Sequence, residues 1–328
     1  MSAIFETKNL SAGYRKGKKE TVVLKGLNLK LECGSLVSLL GANGIGKSTL
    51  LRTVSGIQPS LAGEVIIDGK DITTYTPKQL SKLISIVSTD RTQAGGLTVY
   101  ELASLGRQPH TGFLGRLDEN DKKVVVEALE AVGIAHKRNS FVAELSDGER
   151  QKAMIAKALA QEAPIILLDE PTAFLDVSNR ISTLQLLHDL ARKEQRAILL
   201  SSHDVSQSLA LSDRLWLLYA DGTMADGVPE DLIFEGKMDK LYKSDAIQFD
   251  RNAGDYESLN IGNRSIALHC EDTLLKMWIG NALRRNGFLI DNNASNVIDA
   301  KDSQNFTLQP SGKTANSVEQ LIEMINVL

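Results

Sequence analysis

Gly41-Ala42-Asn43-Gly44-Ile45-Gly46-Lys47-Ser48-Thr49 constrains this chain more than any other stretch. It satisfies the pattern G-x-x-x-x-G-K-[ST] at every fixed position. Its flanks fit as well. Leu36-Val37-Ser38-Leu39-Leu40 reads as a buried strand, and Ser48 to Val54 as the first turns of a helix. A strand, a Gly-rich turn and a helix start together make a polyphosphate cradle. Gly41, Gly44 and Gly46, with Asn43 among them, let backbone N–H groups turn inward without Cβ clashes. The helix N-terminus adds its partial positive charge. In such a loop Lys47 bridges the β- and γ-phosphates, the Ser48 hydroxyl ligates Mg²⁺ and Thr49 closes the motif. The motif specifies a nucleotide and leaves open the machine around it.

The 328 residues suffice for one large domain or two smaller ones. A net charge of −4 gives no global electrostatic case for nucleic-acid binding. Cys33 and Cys270 have no metal-ligand spacing and read as ordinary thiols of a reducing compartment. The N-terminus lacks a charged-then-apolar signal. No apolar run approaches the ~18 residues that span a bilayer, so any membrane role is expected to come through a partner.

Along the chain, Ile4–Leu10 and Val22–Leu31 read as antiparallel strands, with residues 11–20 as a basic, Gly-bearing loop. Tyr14 in that loop either stacks on an adenine or packs on the sheet. Glu64–Ile67 and Ile84–Val87 read as strands and Pro77–Lys82 as a short helix. Residues 92–160 turn mostly helical. Thr98-x-x-Glu101 and Ser146-x-x-Glu149 are capping boxes, and Leu105–Gly112 reads as an irregular loop. Ile165-Ile166-Leu167-Leu168 then runs into Asp169 and Glu170, a buried strand with carboxylates at its C-terminal edge, where open α/β sheets bind ligands. Asp169 would reach Mg²⁺ through water, and Glu170 would orient an attacking water. Ala197-Ile198-Leu199-Leu200 is a second such strand, followed by His203, which either caps the next helix or meets a γ-phosphate. Residues 247–262 are polar and aperiodic and read as a linker. Beyond it, 263–328 reads as a small α/β domain. Its helix Thr273–Arg285 is expected to bury Leu274, Leu275, Trp278, Ile279 and Ala282. Its closing helix Ser317–Val327 is expected to bury Val318, Leu321, Ile322 and Ile325.

Taken together, these motifs resemble the ATP-binding-cassette (ABC) transporter ATPases over about residues 2–245. Gly41–Thr49 matches Walker A, Leu145–Gln151 the signature sequence, Ile165–Glu170 Walker B, Leu175-Asp176 the D-loop, His203 the switch histidine and Tyr14 the adenine-stacking aromatic. Leu105-Gly106-Arg107-Gln108-Pro109-His110-x-Gly112 looks like the segment in ATPases of iron-siderophore, haem and cobalamin importers. The resemblance implies an α/β, P-loop NTPase fold: a mixed β core sheet with an antiparallel β subdomain and a helical subdomain at about 92–160. Together these make an ATPase domain over 1–246, to which the C-terminal α/β appendage is added. It implies ATP and Mg²⁺ as cofactors. It also implies hydrolysis by Glu170, His203 and Lys47, with Ser146 and Gly148 of a second copy sealing the nucleotide in a head-to-tail dimer. The partner is a polytopic permease, faced by the helical residues and fed by a substrate-binding protein. The place is the cytoplasmic face of the inner (plasma) membrane, where the chain is peripheral.

Two positions depart from the family pattern. The Q-loop tripeptide Val-Pro-Gln is here Val87-Ser88-Thr89, which puts Thr89 at the Mg²⁺/water position. The signature's Gly-Gly is Asp147-Gly148. Rival readings are an ABC ATPase for another cargo, and a non-transport cassette protein. The latter usually carries paired cassettes or long coiled-coil insertions, which this sequence lacks.

Overall fold

The computed structural model describes residues 3–17, 19–88, 96–112, 115–242, 244, 246–258 and 262–327. The chain divides into two compact units. One is Met1–Lys243 with Phe249–Asp255, the other Ser244–Gln248 with Tyr256–Leu328.

The first unit begins with β1 (Ala3–Lys16), its antiparallel partner β2 (Lys19–Leu27), and β3 (Lys30–Glu32), which pairs with the start of β1. Residues 11–20, expected to be a loop, therefore lie mostly in a ladder. Tyr14 faces Thr21, Arg15 faces Glu20 in an ion pair of 2.6 Å, and Gly17 turns the chain at φ 61°. Cross-strand pairing satisfies both the backbone and the charges, and so overrides the loop-like composition. β4 (Leu36–Leu40) runs through a turn into α1 (Lys47–Val54). β5 (Ala62–Ile67) and β6 (Lys70–Asp71) extend the β1 sheet, and α2 (Pro77–Leu80) leads to β7 (Ile84–Val87).

Three helices follow, α3 (Val99–Ser104), α4 (Glu119–Ala131) and α5 (Asp147–Ala160). Each opens with a capping box, Thr98/Glu101, Asp118/Asp121 and Ser146/Glu149, which satisfies N–H groups the helix start would leave bare. Next come β8 (Ile165–Leu168), α6 (Val177–Lys193), β9 (Ala197–Ser202), α7 (Val205–Leu211), β10 (Arg214–Leu218), β11 (Met224–Gly227) and α8 (Pro229–Phe234). The main sheet has the order β11-β10-β4-β9-β8-β7, with every neighbour parallel except β10 and β11.

The central strands are buried on both faces. Val37, Leu39, Ile165, Leu167, Ala197 and Leu199 join the core that holds Leu50 of α1 and Leu10 of β1. Their alternates Leu36, Ile166, Leu168, Ile198 and Leu200 join the core that holds Leu102, Leu129 and Ile155 of the helices. Continuous apolar runs are what a strand packed on both sides requires.

The segment Leu105–Gly112 is more ordered than its composition suggests. Leu105–Arg107 is a 3-10 turn. Arg107 is only 3% exposed, and its guanidinium meets Asp121 at 2.8 Å, the Ala160 carbonyl at 2.8 Å and Glu162 at 2.5 Å. The three contacts tie α4 to the C-terminal end of α5. A buried guanidinium is tolerated only with this much pairing.

Residues 247–262, expected to be a linker, carry a two-stranded sheet of β12 (Ile247–Asp250) and β13 (Asp255–Ser258). The Asp250 carboxylate accepts N–H groups of Asn252 and Ala253, and Gly254 turns at φ 65°. That Asx turn folds the polar run back on itself.

The second unit carries a five-stranded sheet of order β15-β14-β16-β17-β18. The elements are β14 (Arg264–His269), α9 (Thr273–Arg285), β15 (Phe288–Ile290), β16 (Val297–Asp302), β17 (Asn305–Gln309), β18 (Lys313–Ala315) and α10 (Val318–Asn326). β14 pairs parallel with both β15 and β16. Its core takes Ile279 and Leu283 from α9 and Leu321 and Ile325 from α10. The expected inward face of α9 is corrected. Ile279 and Ala282 are buried, but Leu274 and Trp278 are 64% and 61% exposed. The helix is apolar on more than one face, and periodicity alone cannot choose between them.

Candidate active site

Parallel strands bring three short segments to one edge of the main sheet. β4 delivers the Gly-rich turn, β8 delivers Asp169 and Glu170, and β9, lying between them, delivers His203. Residues more than 150 positions apart in the chain become neighbours for this reason.

The turn is built as its glycines require. Gly44 and Gly46 adopt φ of 73° and 120°, conformations that side-chain-bearing residues rarely take. A Cβ on Gly46 would also stand 2.6 Å from Val23 Cγ1. Lys47 is 5% exposed, and its Nζ donates to the carbonyls of Gly41 at 2.8 Å and Ala42 at 3.3 Å. Burial pulls the Lys47 pKa below the usual lysine range, while the carboxylates of Glu170 and Asp169 pull it back up. A desolvated cation beside a helix N-terminus is a ready partner for phosphate oxygens.

His203 links the three segments. Its Nδ1 lies 3.4 Å from Lys47 Nζ, and its Nε2 lies 2.5 Å from Glu170 Oε1. An imidazole protonated on Nε2 alone satisfies both contacts, donating to the carboxylate and accepting from the ammonium. Glu170 sits at φ 50°, a strained conformation for a glutamate.

Ser201, which the sequence reading did not single out, places both acids. Its hydroxyl donates to Asp169 Oδ1 at 2.7 Å and accepts the Glu170 N–H at 2.9 Å. The available signal was the pair Ser201-Ser202 closing an otherwise apolar strand, just ahead of the histidine. Arg180 is a second such residue. It pairs with Asp204 at 2.8 Å and donates to the Leu175 carbonyl at 3.3 Å, joining the turn after the acids to the residue after His203.

Ser48 and Asp169 line one cavity of about 770 Å³ together with Arg52, Gln58, Ser88 and Lys157. A hydroxyl and a carboxylate are hard oxygen donors, which suits Mg²⁺, an ion that keeps several waters and binds through few protein groups. Thr89, the third expected metal residue, lies outside the described residues.

Tyr14 is 51% exposed on β1, and its hydroxyl shares a hydrogen bond of 2.7 Å with Thr49 Oγ1. This places an open aromatic face beside the Gly-rich turn, with its tip pinned to the motif's last residue.

Ser146 caps α5, and its hydroxyl is engaged with Glu149. Gly148 has no room for a side chain, because a Cβ would stand 2.9 Å from the Asn179 side chain. Asn179 in turn bonds Asp176. The signature helix and the D-loop are thereby keyed together. The Asp147 carboxylate is turned onto Arg150 at 3.0 Å. Among the described residues no hydrogen bond joins Ser146 or Gly148 to Lys47.

Residues 24–173 match the ABC transporter family, and residues 263–326 match the iron ABC transporter C-terminal domain. An uncharacterised ABC transporter ATP-binding protein of Methanocaldococcus jannaschii is 37% identical over 81% of this chain and 91% of its own. The chain belongs to the ABC transporter ATP-binding proteins. The ferric enterobactin transport ATP-binding protein of Escherichia coli is 36% identical over 71% of this chain and 84% of its own. The iron(3+)-hydroxamate import ATP-binding protein of Bacillus subtilis is 35% identical over 73% and 88%. Among solved structures, a dimeric bacterial ABC transporter cassette superposes with a TM-score of 0.59 at 27% identity, covering 69% of this chain and 98% of that one. The expectation of an ABC ATPase fold holds. This ABC protein binds ATP and hydrolyses it for a transport system. No helix among the described residues is long and apolar enough to cross a membrane.

Proposed function

We propose that this chain powers an importer for iron-siderophore-type cargo, haem and cobalamin being the neighbouring possibilities. The observation that carries the ATPase part is the contact chain Lys47–His203–Glu170 at the edge of the parallel sheet. The cargo rests on the C-terminal match to an iron-transport domain and on relatives named for ferric enterobactin and iron(3+)-hydroxamate.

In this reading Tyr14 stacks on the adenine. Gly41, Asn43, Gly44, Gly46 and Thr49 wrap the phosphates, and Lys47 neutralises the β- and γ-oxygens. Ser48 and Asp169 hold Mg²⁺, which when bound supplies further charge neutralisation on the phosphates. Glu170 orients the attacking water and accepts its proton, and His203 holds Glu170 in place and faces the γ-phosphate. Ser201 fixes both acids by its two hydrogen bonds. Most of the rate gain comes from positioning and charge, since phosphoryl transfer asks little covalent chemistry of a protein.

A second copy completes the site. Head to tail, its Ser146 hydroxyl and the N–H groups at the start of its α5 meet the γ-phosphate. The pairing of Asp147 with Arg150 keeps that carboxylate off the approaching anion. The assembly sits peripherally on the cytoplasmic face of the membrane, under a polytopic permease fed by a substrate-binding protein, and the helical residues of 92–145 face the permease. The ATPase domain is taken as residues 1–246.

The test is reconstitution in proteoliposomes with the membrane protein that co-purifies with it. ATP-driven accumulation of a ferric siderophore, lost with Glu170→Gln, is expected. A chain that co-purifies with no membrane protein and hydrolyses ATP alone would speak for a non-transport cassette.

A further inference from the structure

Helix α9 carries an outward stripe that the fold does not use. Leu274 and Trp278 are 64% and 61% exposed, and Met277 beside them is 47% exposed. Together they leave roughly 350 Å² of apolar surface open, the size of the largest patch on an ordinary monomer. Stripes of this kind usually mark an interface.

The charges around the stripe name the occupant. Two acids stand at the N-terminal edge of α9, the capping Asp272 and Glu271 just ahead of it, and its C-terminal end is basic, with Arg285 and with Arg284, which pairs with Glu257 at 3.4 Å. Glu271 and Arg285 are both exposed. Trp278 stands midway, seven residues from each. Seven residues are almost two full turns, so Leu274, Trp278 and Arg285 lie along one side of the helix. A helix with unlike ends and its aromatic at the centre is self-complementary under a two-fold axis. Laid antiparallel on a copy of itself, it sets Trp278 against Trp278, each acidic end against a basic end, and the two helix dipoles antiparallel, each positive end beside a negative one. Pairing through the sheet edge competes poorly, because the edge strand β15 spans only Phe288–Ile290.

We propose that α9 is a self-association surface, through which the C-terminal units of two copies of this chain pair about an axis near Trp278. Two such patches bury roughly 700 Å² of apolar surface, about the apolar share of an interface at the ~1,200 Å² lower end of the standard range. The contact is therefore at the weak end alone. It becomes strong when another interface raises the local concentration of the two units. In a cassette pair it would hold two subunits near each other between ATP cycles. The proposal does not depend on ATP binding and is tested without it.

The experiment is sedimentation equilibrium of the full chain without nucleotide, up to about 200 µM and at low salt, with acrylamide quenching of tryptophan emission alongside. The chain has two tryptophans, and Trp216 is fully buried. Quenching in dilute solution therefore reports Trp278. A monomer–dimer equilibrium is expected, with Trp278 open to quencher when dilute and protected when concentrated. Trp278→Ala should weaken association at least tenfold. Glu271→Arg or Arg285→Glu alone should weaken it severalfold, and the two together should restore it. A chain that stays monomeric, an association untouched by Trp278→Ala, or a Trp278 already shielded in the dilute monomer would each overturn the proposal. ATPase of Trp278→Ala at saturating ATP separates it from the catalytic reading, which predicts no loss there.

Discussion

Among the described residues, two histidine–carboxylate pairs have a histidine at the end of a parallel strand, and one of them is furnished as an active site. In the first unit His203 meets Glu170 at 2.5 Å, and in the second His269 meets Asp299 at 3.2 Å. Both sit where α/β sheets place ligands. The surroundings differ. His203 is flanked by a buried lysine, a Gly-rich turn and the N-terminus of α1, and Ser201 fixes the carboxylates beside it. His269 opens onto a cleft of about 540 Å³ with Cys270, Glu271 and Asp299, and its own side chain is 63% exposed. No group of three metal-ligating side chains forms among the described residues. A histidine–carboxylate pair becomes chemistry only where a preorganised, desolvated cradle holds a reacting group against it.

The comparison can be broken by substitution. Glu170→Gln should cut steady-state ATP hydrolysis on the order of a thousandfold, about 4 kcal/mol of barrier, while nucleotide binding persists. Hydrolysis near the original rate would remove Glu170 from the role given to it. Arg107→Ala should cost about 3–5 kcal/mol of stability, read by denaturant unfolding, because it strands Asp121 in the interior. The sign with pH follows from that pair. Burial pushes the Asp121 pKa up, but Arg107 and the Asp118 N–H together pull it further down. The folded value therefore lies below the unfolded one, and the pair's contribution is whole above about pH 4 and fades as pH falls through the lowered value. Arg107→Ala should lose that acid dependence. Ser201→Ala should lower kcat about ten- to a hundredfold with little change in KM, since it positions acids and does not bind substrate. A KM effect alone would mean that Ser201 serves nucleotide binding. His269→Ala should change ATPase less than twofold, and a larger loss would show that the second pair feeds the first.

Much of this was readable in the chain before it was seen folded. The Gly-rich turn, the apolar strands with their terminal acids and the capping boxes of α3 and α5 announce themselves because each needs particular residues at close spacing. The rest depends on partners far away in sequence. Residues 11–20 look like a loop until Thr21 and Glu20 pair with Tyr14 and Arg15. Arg107 looks like part of a surface motif until Asp121 and Glu162 close over it. Ser201 matters only because β9 lies beside β8. On α9, apolar residues surround too much of the helix for spacing to tell the core face from the free one. The two expected sealing residues, Ser146 and Gly148, are legible as a capped helix start. Their role, however, is a property of two copies and not of one.

The central claim is that Lys47 and the edge around it hold ATP. Equilibrium binding of labelled ATP to the wild type, Glu170→Gln and Lys47→Ala tests it most directly. Glu170→Gln should bind at least as tightly as the wild type, and Lys47→Ala at least tenfold more weakly. Equal binding by Lys47→Ala and the wild type, or no binding by any of the three, would contradict the account.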